Sequence, residues 1–182
     1  MANNAALKTA VNILKDGGII AFPTETVYGL GALLNKPAAI KRIYQIKKRP
    51  KKKPLQVLVA NLSQAKKLGV FNRQALALAK AGWPGPLTLV VHKTDLIPKL
   101  ITGGTSKVGL RIPAHKTTLA LLKLAGPIVA TSANEAGEKP ALTAKAVEKY
   151  LPEIDYILAG KVKTGQASKV IDATSKLKVL RT

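Results

Sequence analysis

The first apolar residues of the chain recur at helical spacing. These positions are Leu7, Ala10, Val11 and Leu14. Gly17 follows them at a place where helix C-termini favour glycine, so we predict a helix that ends there. The next segment, "GIIAF", is a short uncharged apolar run stopped by Pro23, which predicts a buried strand. The stretch "PTETVYGLGA" that continues from Pro23 contains polar residues and glycines and predicts a loop.

Helix-like and strand-like patterns continue to alternate along the rest of the chain. Helices are predicted over "NKPAAIKRIYQIKK" (ending about Lys48), "SQAKKLG", "NRQALALAKAG", "KTTLALLKLAG" and "TAKAVEKYL". Ser63, Asn72 and Thr143 are the predicted N-caps of the second, third and fifth of these helices. Strands are predicted over "LQVLVAN", "PLTLVVHK", "KVGLRIP", "PIVATSAN", "IDYILAG", "SKVIDAT" and "LKVLR". This alternation predicts an α/β fold with a mixed sheet flanked by helices.

Length and composition indicate one globular domain, residues 1–182, with 47% hydrophobic and 21% charged residues. The absence of cysteine excludes disulfides, thiolate nucleophiles and cysteine-based zinc sites. With two isolated histidines, we expect no protein-bound structural metal. The start resembles no leader peptide, and no uncharged apolar segment reaches about 18 residues. We therefore expect a cytoplasmic protein with no membrane association.

Charge adds an expectation about partners. Thirty Lys and Arg against nine Asp and Glu give a net charge of +21 and a pI near 10.3. The electrostatic field of such a positive charge attracts phosphate-rich ligands, so nucleic acids, nucleotides and anionic membranes are candidate partners. The alternative is a lysine-rich composition without a dedicated partner. Charge alone does not decide between them.

Three polar stretches lie where predicted strands or helices end: "PTETVYG", "TSAN" and "KKRPKKKP". Open α/β sheets usually bind ligands at strand ends. No stretch matches a phosphate-binding P-loop, because Leu110 and Arg111 stand where that motif needs Lys and Ser or Thr. In the basic stretch, Pro50 and Pro54 reduce the conformational freedom of the backbone. This favours a phosphate-binding site with fixed side chains over a flexible tail. A solvated basic face and ordinary Ser/Asn turns remain the alternatives.

Five motifs occur in order along the chain. They are "FPTETVYGLGA", "KKRP" followed by Lys53-Pro54, "WPGPLTLV", "VGLRIPAH" and "TSANEAG". Together they resemble the YrdC family of threonylcarbamoyl-adenylate synthases, from about Ala5 to Arg181. Longer members of that family carry an extra C-terminal domain. Because this sequence stops at Thr182, it is similar to the short, single-domain branch.

The resemblance implies a twisted open α/β sheet with a basic concave face, a fold shared with dihydroxybutanone-phosphate synthases. It also implies a reaction of L-threonine, bicarbonate or CO2, and ATP that yields threonylcarbamoyl-AMP and pyrophosphate. Mg²⁺ is expected with ATP, on the triphosphate. A separate protein complex would transfer the threonylcarbamoyl group to the adenosine beside the anticodon in tRNAs that read codons beginning with A.

The resemblance also implies roles for individual residues. The implied catalytic residues are Lys47, Arg49, Ser132 and Asn134. The implied ATP-binding residues are Arg49, Lys53, Ser132, Asn134 and Arg181. The implied threonine-binding residues are Thr26, Arg111, Thr131 and Ser168, with Arg111 on the threonine carboxylate. This chain departs from the family pattern at Lys107, where many relatives have a small hydroxyl residue, and at Leu58, where some have histidine.

Two other functions are compatible with parts of the sequence. A non-catalytic factor that binds tRNA or double-stranded RNA, or assists ribosome maturation, would explain the basic charge. Aromatic residues make up only 4% of the chain, which argues against reading bases by stacking. A sugar-phosphate enzyme of the sister family would need an acidic metal-binding cluster, and the sequence pattern shows none.

Overall fold

A computed structural model describes residues 4–182 of the chain. Within this range the helices are α1 (Asn4–Lys15), α2 (Pro37–Ile46), α3 (Leu62–Leu68), α4 (Arg73–Gly82), α5 (Lys99–Thr102), α6 (Lys116–Ala125) and α7 (Ala144–Tyr150). The strands are β1 (Ile20–Pro23), β2 (Tyr28–Leu33), β3 (Gln56–Leu58), β4 (Gly69–Val70), β5 (Leu87–Lys93), β6 (Lys107–Arg111), β7 (Ile128–Ser132), β8 (Tyr156–Ile157), β9 (Lys169–Asp172) and β10 (Lys178–Arg181).

All the described strands join one mixed sheet. Its order is β10-β9-β5-β6-β3-β7-β2-β1-β8, and β4 pairs with β5 beside this path. The pairs β3/β6, β5/β9 and β1/β8 are parallel, whereas β1/β2, β2/β7, β3/β7, β5/β6 and β9/β10 are antiparallel. The prediction of an open mixed sheet flanked by helices is confirmed.

The two faces of the sheet are covered unequally. On one face, Val57, Leu110 and Val129 belong to a core cluster that takes in residues of α2, α3, α4, α5 and α7. On the other face, Leu58 and Ala130 pack in a second cluster with α1 and α6. Successive strand residues point to opposite faces, which explains why neighbouring residues join different clusters. Helices α1 and α6 cover only part of the second face, and the uncovered part forms a cavity.

The predicted loop over "PTETVYGLGA" is wrong in its second half, which is strand β2. Two glycines misled the prediction, because they serve close packing here. A Cβ on Gly29 would lie 2.9 Å from Cε2 of Phe22, and one on Gly31 would lie 2.6 Å from Cγ2 of Ile128. Glycine therefore lets β1 and β7 side chains cross β2, and only residues 24–27 remain as the loop.

Some predicted boundaries also change. Ser63 is not the N-cap of α3, because Asn61 accepts a hydrogen bond of 2.9 Å from the Gln64 backbone N–H. Helix α2 ends at Ile46, since Lys48 adopts a left-handed conformation with φ of 49°. The predicted caps at Asn72 and Thr143 are confirmed. The short elements β4 and α5 were not predicted.

No helix among residues 4–182 combines the length and apolar character that crossing a membrane would need.

Candidate active site

The uncovered part of the sheet holds a cavity of about 420 Å³. Its floor consists of alternate residues of neighbouring strands, which point to the same face. The floor residues are Gln56 and Leu58 of β3, Gly109 of β6, Thr88 and Val90 of β5, Ala130 of β7, and Val170 of β9. The loops at residues 24–27, 49–55 and 167–168 supply parts of its walls. Small residues at 109 and 130 keep the floor low and leave space for a ligand.

Basic side chains dominate the charge of this cavity. Its lining contains the cations Arg49, Lys107, Arg111 and Arg181. Asp172 is the one carboxylate residue among the lining residues. A partly enclosed cavity lined by one sign of charge concentrates its field, so this cavity suits an anionic ligand.

Arg111 lies almost fully buried at one end of β6, with its guanidinium fixed on two sides. Its Nε donates to the Gly85 carbonyl at 3.1 Å, and Nη2 donates to Glu25 Oε1 at 2.7 Å and to Thr26 Oγ1 at 3.0 Å. Among the described residues, Nη1 donates no hydrogen bond. A fixed guanidinium with one free terminal nitrogen in a cavity can bind a carboxylate.

Glu25 is the partner that the sequence reasoning missed. Its carboxylate is buried, and its other oxygen, Oε2, has no hydrogen-bond partner among residues 4–182. The ion pair with Arg111 compensates the charge of both groups in a place where a lone charge would be costly. One signal could have identified Glu25 from the sequence: it is the one carboxylate in the "PTET" motif, whose other polar side chains are hydroxyls.

The hydroxyl protons of the same loop are already assigned. Thr24 donates to the Val27 carbonyl at 2.7 Å, and Thr26 lies 2.7 Å from the Thr24 hydroxyl. Each hydroxyl has one proton, so Thr26 donates to Thr24. Since Thr26 also accepts from Arg111, it has acceptor capacity but no proton left for a ligand.

Arg49 is held by its own loop. Its Nη2 donates to the Pro54 carbonyl at 2.8 Å, and its Nε donates to the Lys53 carbonyl at 3.3 Å. Burial lowers the pKa of Arg49. The turn between Pro50 and Pro54 therefore wraps around the guanidinium and places it in the cavity wall.

Lys47 is buried beneath the wall and does not line the cavity. Its ammonium donates to the Ser132 carbonyl at 2.6 Å, to the Asn134 carbonyl, and to Asn134 Oδ1 at 3.5 Å. Burial, and then the charge of Arg49, lowers the pKa of Lys47 to about 8. Lys47 thus ties helix α2 to the end of β7.

The "TSAN" segment is divided between cavity and interior. Thr131 and Ser132 line the cavity. Asn134 is buried and turned away, with Nδ2 donating to the Glu135 carbonyl at 2.7 Å and the Glu138 carbonyl at 2.6 Å. In strand β7, Ser132 points to the same face of the sheet as the floor residue Ala130, whereas Thr131 points to the opposite face. The structure therefore brings the Ser132 hydroxyl to the cavity and uses the Asn134 amide to hold the following turn.

The rest of the basic stretch faces outward. Lys51, Lys52 and Lys53 are exposed, and Lys53 is not among the cavity-lining residues. Lys48 is exposed and forms an ion pair of 3.0 Å with Glu135. The stretch "KKRPKKKP" is thus divided into a buried lysine, a cavity arginine and solvated lysines.

Ser168 and Arg181 are joined to each other in the lining of the cavity. Arg181 donates from Nε to the Ser168 carbonyl at 2.8 Å and from Nη2 to Ser168 Oγ at 3.0 Å. Ser168 Oγ lies 2.9 Å from Thr88 Oγ1, which donates to Gln56 Oε1 at 2.9 Å. We call these four residues the polar chain. Burial, and then the charge of Arg111, lowers the pKa of Arg181.

Lys107 and Leu58, where the sequence departs from the family pattern, both line the cavity. Lys107 forms an ion pair of 2.8 Å with Asp172. Burial raises the pKa of Asp172, but hydrogen bonds from Lys107 and Thr174 outweigh it and bring the pKa to about 2. Asp172 therefore stays charged at neutral pH and compensates the extra lysine.

The structure brings together most of the residues expected from the sequence. Seven of them line this cavity: Thr26, Arg49, Arg111, Thr131, Ser132, Ser168 and Arg181. Lys47 and Asn134 lie behind its wall, and Lys53 lies outside it. Their roles toward a ligand stay predictions. Glu25, Thr88, Gln56 and Asp172 were missed.

The sequence of the chain is similar to those of known proteins. The profile of the Sua5/YciO/YrdC family, described as telomere recombination, matches residues 12–182. The threonylcarbamoyl-AMP synthase of Pyrococcus abyssi is 41% identical over 172 residues, covering 92% of this chain and 51% of that protein. This chain thus spans about half the length of that relative. The threonylcarbamoyl-AMP synthase of Xanthomonas campestris (strain B100) is 37% identical, with 89% of each chain covered.

A solved structure shows the same fold. The crystal structure of P. abyssi Sua5 complexed with L-threonine has a TM-score of 0.92 and 40% identity to this chain. The match covers 96% of this chain and 53% of that one.

Proposed function

The chain belongs to the Sua5/YciO/YrdC family, and from this premise we propose that it is a threonylcarbamoyl-AMP synthase. It would form threonylcarbamoyl-AMP and pyrophosphate from L-threonine, bicarbonate or CO2, and ATP. One observation carries the proposal: a single cavity holds both a fixed carboxylate clamp, Arg111, and two further arginines, Arg49 and Arg181. The names of the relatives and the L-threonine bound to the Sua5 neighbour support this choice.

Arg111 would bind the threonine carboxylate. Its free Nη1 would donate to one carboxylate oxygen, while Glu25 and Gly85 keep the guanidinium in place. Thr26, which contacts Arg111, and Ser168, which also lines the cavity, would accept hydrogen bonds from the amine and hydroxyl of the amino acid. One cation and two acceptors match the one carboxylate and two donor groups of threonine.

Arg49 and Arg181 would bind the ATP phosphates. Guanidinium groups bind phosphate oxygens with two donors at once, and both arginines line the cavity. Lys53, on the exposed side of the Arg49 loop, would add a point charge to the outer phosphates. Ser132, which lines the same cavity, would orient the nucleotide.

The proposed reaction has two bond-forming steps. The neutral threonine amine attacks CO2, giving a carbamate and releasing a proton. A carbamate oxygen then attacks the α-phosphorus of ATP, and the bond to the departing pyrophosphate breaks. Positioning and charge compensation can supply much of the required acceleration, so the site needs little beyond its cations and hydroxyls.

Mg²⁺ would enter with ATP and neutralise phosphate charge. In the part of the chain that the structure describes, no group of three or more metal-ligating side chains is placed to hold an ion. Asp172, the cavity's carboxylate, is already paired with Lys107. The donor set therefore fits a metal held mainly by phosphate oxygens.

A pyrophosphate-release assay tests this proposal. Protein incubated with ATP, Mg²⁺ and bicarbonate should release pyrophosphate only when L-threonine is added. Arg49→Ala should lower kcat/KM at least about 100-fold, since it removes a charge used in the transition state. Release that does not depend on threonine would contradict the proposed activity, and full activity in Arg49→Ala would remove that residue from the site.

We also propose tRNA as the final acceptor of the threonylcarbamoyl group, delivered by a separate protein complex in the cytoplasm. A second candidate function, RNA binding without catalysis, has one observation in its favour, the net charge of +21. The two functions are compatible in one protein, and the salt dependence discussed below separates their contributions.

A further inference from the structure

The polar chain fixes which atoms carry protons on the cavity floor. The Gln56 Oε1 oxygen can only accept, so Thr88 donates its single hydroxyl proton to it. Thr88 Oγ1 must then accept from Ser168, which lies 2.9 Å away. Arg181 has donors only, so its bond to Ser168 Oγ also points one way. Each of the two hydroxyl protons in the polar chain, on Thr88 and on Ser168, therefore has one assigned acceptor.

Ser168 consequently has nothing to donate to a ligand. Its proton goes to Thr88, and one of its two acceptor positions is taken by Arg181. One acceptor position is left. A hydroxyl in this state binds an N–H or O–H group and repels a carboxylate or phosphate oxygen.

We infer that Thr88 is a positioning residue that makes Ser168 an acceptor for the amine of the bound amino acid. The inference rests on the proposed function and adds a residue and a contact to it. The Arg181 guanidinium beside Ser168 disfavours a second cation there. Ser168 would therefore bind the amine in its neutral form, which is the form that attacks CO2.

The neighbouring strands are built to allow this arrangement. Strand β6 lies between β3 and β5, yet Gln56 and Thr88 bond to each other across it. The crossing is possible because Gly109, the β6 residue paired with Gln56, has no side chain. A Cβ at Gly109 would lie 3.2 Å from Thr88 Cγ2 and 3.6 Å from Gln56 Cβ.

Burial makes the arrangement firm. Thr88 is 3% exposed and Ser168 is 2% exposed. A buried hydroxyl that loses its partner is left unsatisfied, so the network resists reorientation. Neither residue can easily exchange its protein partner for water.

The test compares ligands in matched variants of the full chain by titration calorimetry. The ligands are L-threonine and (R)-3-hydroxybutyrate, which keeps the carboxylate and hydroxyl but lacks the amine. The unchanged protein should prefer threonine by at least about tenfold, because losing the amine leaves Ser168 unpaired. Thr88→Val, which keeps the shape but frees the Ser168 proton, should reduce this preference about tenfold. Thr88→Ser should restore it.

Two further measurements separate the possible outcomes. KM for threonine should rise more than KM for ATP in Thr88→Val. L-2-Aminobutyrate lacks the hydroxyl of threonine but keeps the amine. The ratio of the affinities for threonine and for this ligand should be no larger in Thr88→Val than in the unchanged protein. If Thr88→Val changes the preference for threonine over L-2-aminobutyrate and leaves the preference over (R)-3-hydroxybutyrate unchanged, the assignment of Ser168 to the amine is overturned.

Gly109→Ala is a second route to the same test, since its new methyl group would press on Thr88. It should weaken amine discrimination in the same direction, and thermal unfolding of each variant checks that it is folded. Unchanged discrimination in both variants would overturn this inference alone. The absence of threonine-dependent pyrophosphate release in the unchanged protein would overturn the proposed function.

Discussion

At the scale of single residues, the charge of the cavity depends on a buried carboxylate, Glu25, that does not line the cavity itself. Arg111 can lie 3% exposed because Glu25 neutralises it at 2.7 Å. Removing one member of such a buried pair usually costs about 3–5 kcal/mol, since the other charge is left uncompensated. The carboxylate is thus part of the reason why a carboxylate-binding arginine can exist at this depth.

Lys47 allows a pH prediction at the same scale. Its pKa is lowered from 10.5 to about 8 in the folded protein, so between these pH values the unfolded chain binds a proton that the folded chain does not. The free energy of unfolding should therefore rise with pH across this window, by up to about 1.4 kcal/mol per pH unit from this group. Below about pH 8 the cost of burying the charge is fully present.

The matched control for this prediction is Lys47→Met, which keeps the aliphatic stem and removes the titrating group. Urea unfolding of both proteins at several pH values from about 7 to 10.5 gives the difference. The stability of the unchanged protein relative to the variant should increase with pH. A difference that stays constant would contradict the lowered pKa.

At the scale of elements, a β-bulge in β10 decides where Arg181 points. Val179 pairs with Ile171 and Arg181 pairs with Val170, so Leu180 is the extra residue between them. In a regular ladder, Leu180 would pair with Val170 and Arg181 would point to the opposite face. The bulge therefore puts the arginine on the cavity side, beside Ser168.

Deleting Leu180 should convert the bulge to a regular ladder and keep Arg181 opposite Val170. We expect KM for ATP to change less than about threefold in this variant, whereas Arg181→Ala should raise it at least about tenfold. Steady-state kinetics with varied ATP measures both values. A deletion variant as impaired as Arg181→Ala would show that pairing with Val170 is not sufficient to place the Arg181 side chain for ATP.

At the scale of the whole molecule, the net charge of +21 exceeds what the cavity uses. The cavity holds four of the basic residues, and many others, including Lys51 and Lys52, are solvent-exposed. Exposed cations distributed in this way can contact a phosphate backbone without taking part in catalysis.

Salt should therefore affect tRNA binding and synthesis differently. Replacing Lys51 and Lys52 with Ala should reduce the slope of log K against log salt for tRNA binding by up to about 2, with kcat changed less than about twofold. Filter binding at varied KCl gives the slope, and the pyrophosphate assay gives kcat. A slope unchanged by the double substitution would place the RNA-binding surface elsewhere.

Local patterns in the sequence were sufficient to predict most of the fold. Helical spacing marked α1, and Asn72 marked the start of α4, because these signals act over a few residues of chain. The glycines of β2 led to a wrong prediction of a loop. They are needed because the side chains of Phe22 and Ile128, from neighbouring strands, pack where a Cβ would lie. That approach depends on the order of the strands, which no local pattern contains.

The candidate site divides in the same way. The order of the five motifs along the chain, through their resemblance to a family, was enough to predict Arg49, Arg111, Ser168 and Arg181 as site residues. The burial of Lys47 against backbone carbonyls and the contact of Thr88 with Gln56 over Gly109 became visible only in the folded chain. These contacts join residues far apart in the chain, so they exist only once the strands are ordered in the sheet.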